Sequence, residues 1–387
     1  MQIALVSIGF PPYYTFGGAE SYVSLLSEEL AKNGINITVI AGWPKKETLC
    51  ESPRDRVKVI RLPVIDKPPR SVWYQLLNKN NILNIINRAD VVHCNSLVTS
   101  LINDKIMNEK PLIITMHGSL SALCAYFSSV RTCHLSIGDL FYLMEYPLIS
   151  GFYRRDLLHS DALIFVAHHA YNEAMKYLGD KCKIITSKSV VIYPGINLNE
   201  IRDKRVHTCD VCNEIEMAYV GRLFWPKGIT YTLETFNIIV NEMGEKTAKL
   251  HILGEGPLRS WVSWYVKKHG LAKNINIYGQ VSRDFVLQTL SKTKVLLSPS
   301  LYEGCPYVLL EANALGVPVV TFDFDWSREF ITNGLNGFRS PLVDVHKLAE
   351  DALKATSLNT SLIREEAKKF DIRITAKKTI ETYKKLL

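Results

Sequence analysis

Short apolar runs of strand length alternate with helical stretches along almost the whole chain, and the alternation starts twice. The first series opens at Ile3–Ile8. A helical stretch follows at Ser21–Asn33, with Val23, Leu26 and Leu30 on one face and Gly34 as the stop. Further strands are expected at Asn36–Ala41, Val57–Leu62, Asp90–Cys94, Pro111–Met116, Ala162–Val166 and Val190–Tyr193. The second series has strands at Glu216–Val220, Lys249–Leu253, Asn276–Tyr278 and Lys294–Ser298. Helices near Ile229–Met243, Leu258–His269 and Phe285–Ser291 separate them. Strand, helix, strand in succession requires parallel strands joined by crossover helices. The expected class is therefore α/β, with two Rossmann-like doubly wound parallel sheets over residues 1–198 and 215–368. The polar, aperiodic stretch 199–214 reads as the linker. A basic amphipathic helix at Ile372–Leu387 closes the chain, within a last segment of 369–387. Two such halves are expected to bind ligand beyond the carboxyl ends of their strands.

Length and charge narrow the function. At 387 residues the chain is long enough for two cores. The opening Met1-Gln2-Ile3-Ala4-Leu5-Val6 reads as a strand and lacks the basic start of a signal peptide. No apolar run approaches the roughly 18 residues of a membrane span. Eight cysteines are scattered without a secreted framework, so a cytoplasmic protein is expected. The net charge of +8 is shared evenly. Residues 1–198 hold 20 Lys/Arg against 16 Asp/Glu, and the remainder 26 against 22. With no basic module, nucleic acid is not the expected partner. The balance suits phosphorylated ligands or an anionic membrane face alike.

The chemistry concentrates in Pro299–Ala312, which places Glu303 in a Gly/Pro loop after an apolar strand and Glu311 in the helix that follows. Strand, glycine loop and helix N-terminus make an anion-binding corner. Two carboxylates there suit a ligand whose hydroxyls need acceptors while its phosphate takes backbone N–H groups, as in a nucleotide sugar. On spacing alone, a loop carboxylate and an ordinary helix glutamate explain the pair equally well. Gly17 and Gly18, between the first strand and first helix, either let backbone approach a diphosphate or make a flexible loop at a helix start. The loop is not a GxGxxG fingerprint, and Ile37-Thr38-Val39-Ile40 supplies no acid for a dinucleotide ribose, which disfavours a dehydrogenase. Arg222 and Lys227 sit in the loop Gly221–Gly228, where a fork donor and a point charge can neutralise a leaving diphosphate. Glu255, in Gly254-Glu255-Gly256-Pro257, stands either in a nucleobase pocket or in a plain turn. His117 ends a strand, where a ligand contact and a structural hydrogen bond are about equally expected. Cys209 and Cys212 form a single CxxC, too little on its own for zinc. Asp323 and Asp325 have the spacing of a metal pair or of a polar loop, with the loop favoured.

Together these segments resemble the retaining GT-B-fold members of glycosyltransferase family 4. The resemblance runs nearly end to end. It is carried by Gly17-Gly18-Ala19-Glu20, His117, Tyr193-Pro194-Gly195-Ile196-Asn197, Gly221-Arg222-Leu223 with Lys227-Gly228, Leu253–Pro257, Glu303 to Glu311, Ser327-Arg328-Glu329-Phe330 and Asn333–Phe338. It implies a donor-sugar contact at Glu303 and sugar and phosphate contacts from the backbone of Gly304, Cys305, Tyr307 and Val308. It further implies ribose contact at Glu311, diphosphate contact at Arg222, Lys227, Gly17 and Gly18, and a position for His117 near the anomeric centre. Front-face transfer with retention is implied, with no divalent metal and no cofactor, so Asp323 and Asp325 would not be ligands. The final helix would cross back to the first domain. The donor would be a nucleoside-diphosphate hexose, UDP favoured over GDP, and the acceptor a glycan or lipid-linked glycan. Ser119–Gly151, apolar and aromatic, would shape the acceptor side and touch a membrane or simply pack on the core. Ala167, Pro194, Cys305 and Tyr307 depart from the commoner family choices and bear on donor identity. The alternatives are a GT-B-fold nucleotide-sugar epimerase and a catalytically silent nucleotide-sugar-binding protein.

Overall fold

The structure is a computed structural model. It describes residues 1–13, 17–65, 67, 69–95, 97–118, 137–203 and 214–387, with backbone alone for 137–146. These residues form two compact units. One comprises the described part of Met1–Gly195 together with Ile372–Leu387, and the other comprises that of Ile196–Asp371.

In the N-terminal unit the strands are β1 (Gln2–Val6), β2 (Asn36–Trp43), β3 (Leu49–Arg54), β4 (Val57–Pro63), β5 (Val91–Asn95), β6 (Leu112–Met116), β7 (Ala162–Phe165) and β8 (Ser189–Val191). They form one sheet in the order β3-β4-β2-β1-β5-β6-β7-β8. β1 pairs in parallel with β2 on one side and β5 on the other, so the order reverses at β1/β5. The inner strands β1, β5, β6 and β7 are mostly apolar because they are buried along almost their whole length, with His93 and Asn95 in β5 and Thr115 in β6 as buried polar exceptions. The expectation of a wholly parallel sheet fails at β3, which pairs antiparallel with β4. This edge strand is largely exposed and polar, Leu49-Cys50-Glu51-Ser52-Pro53-Arg54, so burial imposes no apolar alternation on it.

The last helix, Ile372–Lys384, belongs to this unit and packs on the first helix, Gly18–Lys32. A buried polar chain ties it to the sheet. Tyr383 Oη lies 2.7 Å from His93 Nδ1, and His93 Nε2 lies 2.6 Å from Thr115 Oγ1. Thr115 Oγ1 is in turn 3.3 Å from the Tyr22 hydroxyl. Burial, with His117 adding a minor repulsion, pushes the His93 pKa down to about 3, so the ring is neutral. Every member thus has a hydrogen-bond partner, as burial demands.

The C-terminal unit holds β9 (Glu216–Val220), β10 (Lys249–Leu253), β11 (Ile275–Gly279), β12 (Val295–Leu297), β13 (Val319–Phe322) and β14 (Gly337–Ser340). All are parallel, in the order β11-β10-β9-β12-β13-β14. This is the doubly wound order with its switch point between β9 and β12, where ligands bind beyond the carboxyl ends of the strands. Helix Ile229–Asn237 follows β9 and runs into a wider π-type turn, Ile238–Glu242. The stretch expected as linker begins with a helix instead, Leu198–Asp203. No helix among the described residues is long and apolar enough to cross a membrane.

Candidate active site

Two loops leave the switch point of the C-terminal sheet, one after β9 and one after β12. They are locked to each other by backbone. Leu301 N–H donates to Pro226 O at 2.8 Å, and Ser300 Oγ lies 3.1 Å from the same oxygen. Gly228 is left-handed, with φ +74°, and a Cβ there would stand 2.0 Å from Pro299 O. Only glycine permits this approach. A third loop joins in the same way: Gly254 has φ +145° and a Cβ would meet Gly221 O at 1.9 Å, while Leu223 N–H donates to Glu255 O at 2.9 Å.

This framework brings two of the expected site residues together. Lys227 Nζ lies 2.7 Å from Glu303 Oε1. Both side chains are partly buried, and each supplies the counter-charge that makes the other tolerable there. Arg222 stands on the same loop as Lys227 but is exposed, with its guanidinium carbon 5.2 Å from the centre of the Phe224 ring. Its backbone oxygen accepts from the buried Tyr219 hydroxyl at 3.0 Å, which fixes the start of the loop. After Gly304 and Cys305, Pro306 occupies the N-cap of helix Tyr307–Leu315, and no side chain caps that helix. The first N–H groups, of Tyr307 and Val308, therefore head a positive helix end beside Glu303. Burial drives the Cys305 thiol pKa well upward, with Glu329 and Glu303 adding to it, so Cys305 is not a thiolate at neutral pH.

Glu311, eight positions on, is buried and already engaged. Arg283 Nε donates to its Oε1 at 2.7 Å, and Arg283 Nη1 donates to Glu200 Oε1 at 2.9 Å. Burial raises the Glu311 pKa, and the guanidinium opposes that rise. Glu255 is exposed, with Arg259 at 3.9 Å, and only its backbone is tied to the site loops.

In the N-terminal unit His117 follows β6 and contacts Asn95, whose Oδ1 accepts from its Nε2. The roles follow from the Asn95 amide, which donates to Ser7 Oγ at 3.2 Å and Ala19 O at 3.4 Å. Nδ1 of His117 is then the unprotonated, accepting nitrogen. Burial pushes this imidazole down to about 4, and the Tyr22 ring meets it edge-on at 5.0 Å. His117 is therefore a neutral hydrogen-bonding group and carries no charge at pH 7. Gly17 is the N-cap of helix Gly18–Lys32 in extended conformation. The carboxylate of Glu20 folds back over Gly17, where an added Cβ would stand 2.8 Å from Glu20 Oε2.

Comparison with known proteins decides the family. The description "Glycosyltransferase Family 4" matches residues 16–200, and "Glycosyl transferases group 1" matches residues 211–373. The chain belongs to glycosyltransferase family 4. An uncharacterized glycosyltransferase of Methanocaldococcus jannaschii, MJ1607, is 27% identical over 361 residues, 87% of this chain and 84% of its own. Sucrose-phosphate synthase from Thermosynechococcus elongatus shares the fold with a TM-score of 0.78 at 20% identity, covering 100% of this chain and 99% of that one. HepE from Anabaena, solved in complex with UDP-glucose, gives 0.70 at 16% identity over 100% of both chains.

As a family 4 glycosyltransferase the protein is a hexosyltransferase of GT-B architecture, with two Rossmann-like units and a last helix that returns to the first. Its Asp323 and Asp325 are spoken for by arginine. Arg328 holds Asp323 in a fork at 2.9 and 3.0 Å and reaches Asp325 at 3.2 Å, and Arg339 adds a bond to Asp323 at 2.8 Å. The hydrogen bonds from Arg328 hold the Asp323 carboxyl below its usual range. Cys209 and Cys212 lie outside the described residues, as do residues 119–136 of the apolar stretch Ser119–Gly151. Sequence reasoning missed Arg283, Glu200 and Asn95. Glu200 fell in the segment read as linker, and Arg283 carries no motif. Asn95 at the end of β5 had one usable signal, a polar residue closing an apolar run at the switch point of its sheet.

Proposed function

We propose that this hexosyltransferase moves a hexose from a nucleoside diphosphate, UDP rather than GDP, to a hydroxyl of a glycan or lipid-linked glycan, with retention and without a metal ion. The observation that carries the reading is the Lys227–Glu303 pair at the β9/β12 switch point, beside the uncapped N-terminus of helix Tyr307–Leu315. The helix end and the backbone of Gly304, Cys305, Tyr307 and Val308 take the phosphate and sugar oxygens. Pro306, lacking an N–H, takes no part in this. Glu303 accepts from the sugar hydroxyls. Lys227 and Arg222 balance the charge that grows on the departing diphosphate, in place of a metal. Glu311 accepts from the ribose. In the N-terminal unit, Gly17, Gly18 and His117 are the proposed ligand contacts, the last through its accepting Nδ1. Glu255 is the proposed neighbour of the base.

In the reaction the bond from C1 to the diphosphate oxygen breaks and the acceptor oxygen bonds to C1 on the same face. The acceptor proton passes to the leaving phosphate oxygen, so no protein nucleophile is required. HepE, which has the same fold and was solved with UDP-glucose, supports the choice of UDP. Thermal-shift screening against UDP, GDP, ADP and their sugars tests the donor, because a ligand that binds only the folded chain raises its melting temperature. NMR of the product's anomeric proton tests retention. Stabilisation by GDP-sugars alone would overturn the base, and an inverted product would overturn the mechanism. Donor sugar that changes configuration with no acceptor present would favour an epimerase.

A further inference from the structure

Arg283 opens the helix Arg283–Leu290, whose N-cap Ser282 accepts from Phe285 N–H. From there its guanidinium reaches two carboxylates, Glu311 through Nε at 2.7 Å and Glu200 through Nη1 at 2.9 Å. The third nitrogen, Nη2, is buried and meets no acceptor among the described residues. In a guanidinium group Nε–H and one Nη2–H point along the same edge. That edge can take a carboxylate in a two-pronged grip, yet Glu311 meets only one prong. A buried donor therefore sits on the edge that faces a buried carboxylate. Few groups fit such a pair. A phosphate would be repelled by Glu311 and Glu200, and an ammonium by Arg283. A hydroxyl fits, because it donates and accepts at once.

We propose that Arg283 belongs to the donor site, where Nη2 donates to one ribose hydroxyl while that hydroxyl donates to Glu311. The Nε and Nη1 bonds fix the guanidinium plane for this contact, with Glu200 as the outer anchor. The inference rests on the reading of Glu311 as the ribose acceptor and adds a second, specificity-setting residue to it.

The test is isothermal titration calorimetry of the full chain with UDP, 2′-deoxy-UDP and 3′-deoxy-UDP, on wild type, Glu311→Gln, Arg283→Met and Arg283→Lys. Wild type is expected to bind UDP about tenfold or more tighter than one of the deoxy forms, as a lost hydrogen bond in a polar site requires. Arg283→Met should cut that preference to about threefold or less. It should do so by weakening UDP, with the disfavoured deoxy form little changed. Arg283→Lys, which keeps the charge but loses the fork, should fall between. A role confined to holding the fold would weaken all three ligands by one common factor and leave the preference intact, and that result overturns the proposal. If wild type and Glu311→Gln alike show no preference, the ribose reading of Glu311 fails first and this inference with it. Should Arg283→Met not fold by circular dichroism, the same comparison on Arg283→Lys decides.

Discussion

Lys227 and Glu303, the cation assigned to the diphosphate and the acid assigned to the sugar, are each other's partner at 2.7 Å. They come from loops 76 residues apart in sequence that share the backbone contacts of Pro226, Gly228 and Pro299. On the proposed reading, a donor entering this site would turn its phosphate toward the ammonium and its hydroxyls toward the carboxylate.

This pairing predicts non-additive kinetics. Lys227→Ala should lower kcat by roughly 10²–10³, the usual cost of a preorganised charge at a developing oxyanion. Glu303→Gln should lower it far more than Glu311→Gln, which should act mostly on donor KM. The double variant Lys227→Ala/Glu303→Gln should lose less than the product of the single losses, since each single change removes the same 2.7 Å ion pair. Arg222→Ala should also lower kcat more than it weakens nucleotide binding. Initial rates with calorimetry of nucleoside-diphosphate binding measure all of these. Near-normal kcat in both Lys227→Ala and Arg222→Ala would remove the diphosphate role.

Metal removal gives a second, independent test. With Lys227 and Arg222 balancing the leaving group, excess EDTA should leave most of the transferase activity intact. Abolition restored by magnesium or manganese would return Asp323 and Asp325 as ligands, at the expense of their bonds to Arg328.

Backbone fit at the site predicts a stability effect. Gly228→Ala places a Cβ against Pro299 O at a left-handed φ of +74°. The conformation alone costs roughly 1–2 kcal/mol, and relieving the clash must part the two site loops. Urea denaturation should show a loss of at least ~2 kcal/mol, with kcat reduced as well. Unchanged stability would mean the loops are not rigidly locked.

Buried titratable groups should make the stability of the N-terminal unit depend on pH, with two histidines pulling one way and two carboxyls the other. Unfolded histidines take up protons near 6.5, whereas buried His93 and His117 resist until about 3 and about 4. Between about pH 4 and 6.5 the unfolded chain thus binds more protons, and stability falls as pH falls. Asp156 opposes this. Burial pushes its carboxyl up from 3.8 to about 6, so between those values the folded chain holds a proton the unfolded chain has lost. Glu20, whose carboxyl burial also raises, opposes it in the same sense, so single-site variants are needed to separate the contributions. His93→Gln should lower the slope of stability against pH between pH 4.5 and 6.5, and Asp156→Asn should raise it, as measured by denaturation midpoints across that range. A slope that His93→Gln leaves unchanged would contradict the burial of that ring.

The strands that carry the fold were legible because their burial leaves apolar runs. β3 was not, since an exposed edge admits Glu51, Pro53 and Arg54. β14 was not, because Gly337-Phe338-Arg339-Ser340 is short and only half apolar. At the candidate site, local chemistry marked Lys227, Glu303 and Glu311 as candidates, each in a strand-end loop or the helix after it. Their partners were a different matter. That Lys227 meets Glu303 depends on β9 and β12 being neighbours, and that Arg283 meets Glu311 depends on the helices Arg283–Leu290 and Tyr307–Leu315 packing against each other. Such pairings are set by topology, and spacing along the chain does not encode them. Asn95, which fixes the tautomer of His117, was hidden for the same reason.

The helix Ile372–Lys384 completes the unit built from residues 1–195, and Tyr383 is the far end of the hydrogen-bond chain through His93 and Thr115. Residues 196–371 are synthesised in between. At about 5–20 residues per second, the ribosome needs roughly 10–35 s to traverse them. For that interval the nascent first unit holds His93 without its phenol, and the face of helix Gly18–Lys32 that will receive the last helix stays uncovered. The C-terminal unit, whose sheet is continuous in sequence, is complete before the first unit is. The order of maturation therefore reverses the order of synthesis, and chaperone capture, if it occurs, should concentrate on the half that emerged first.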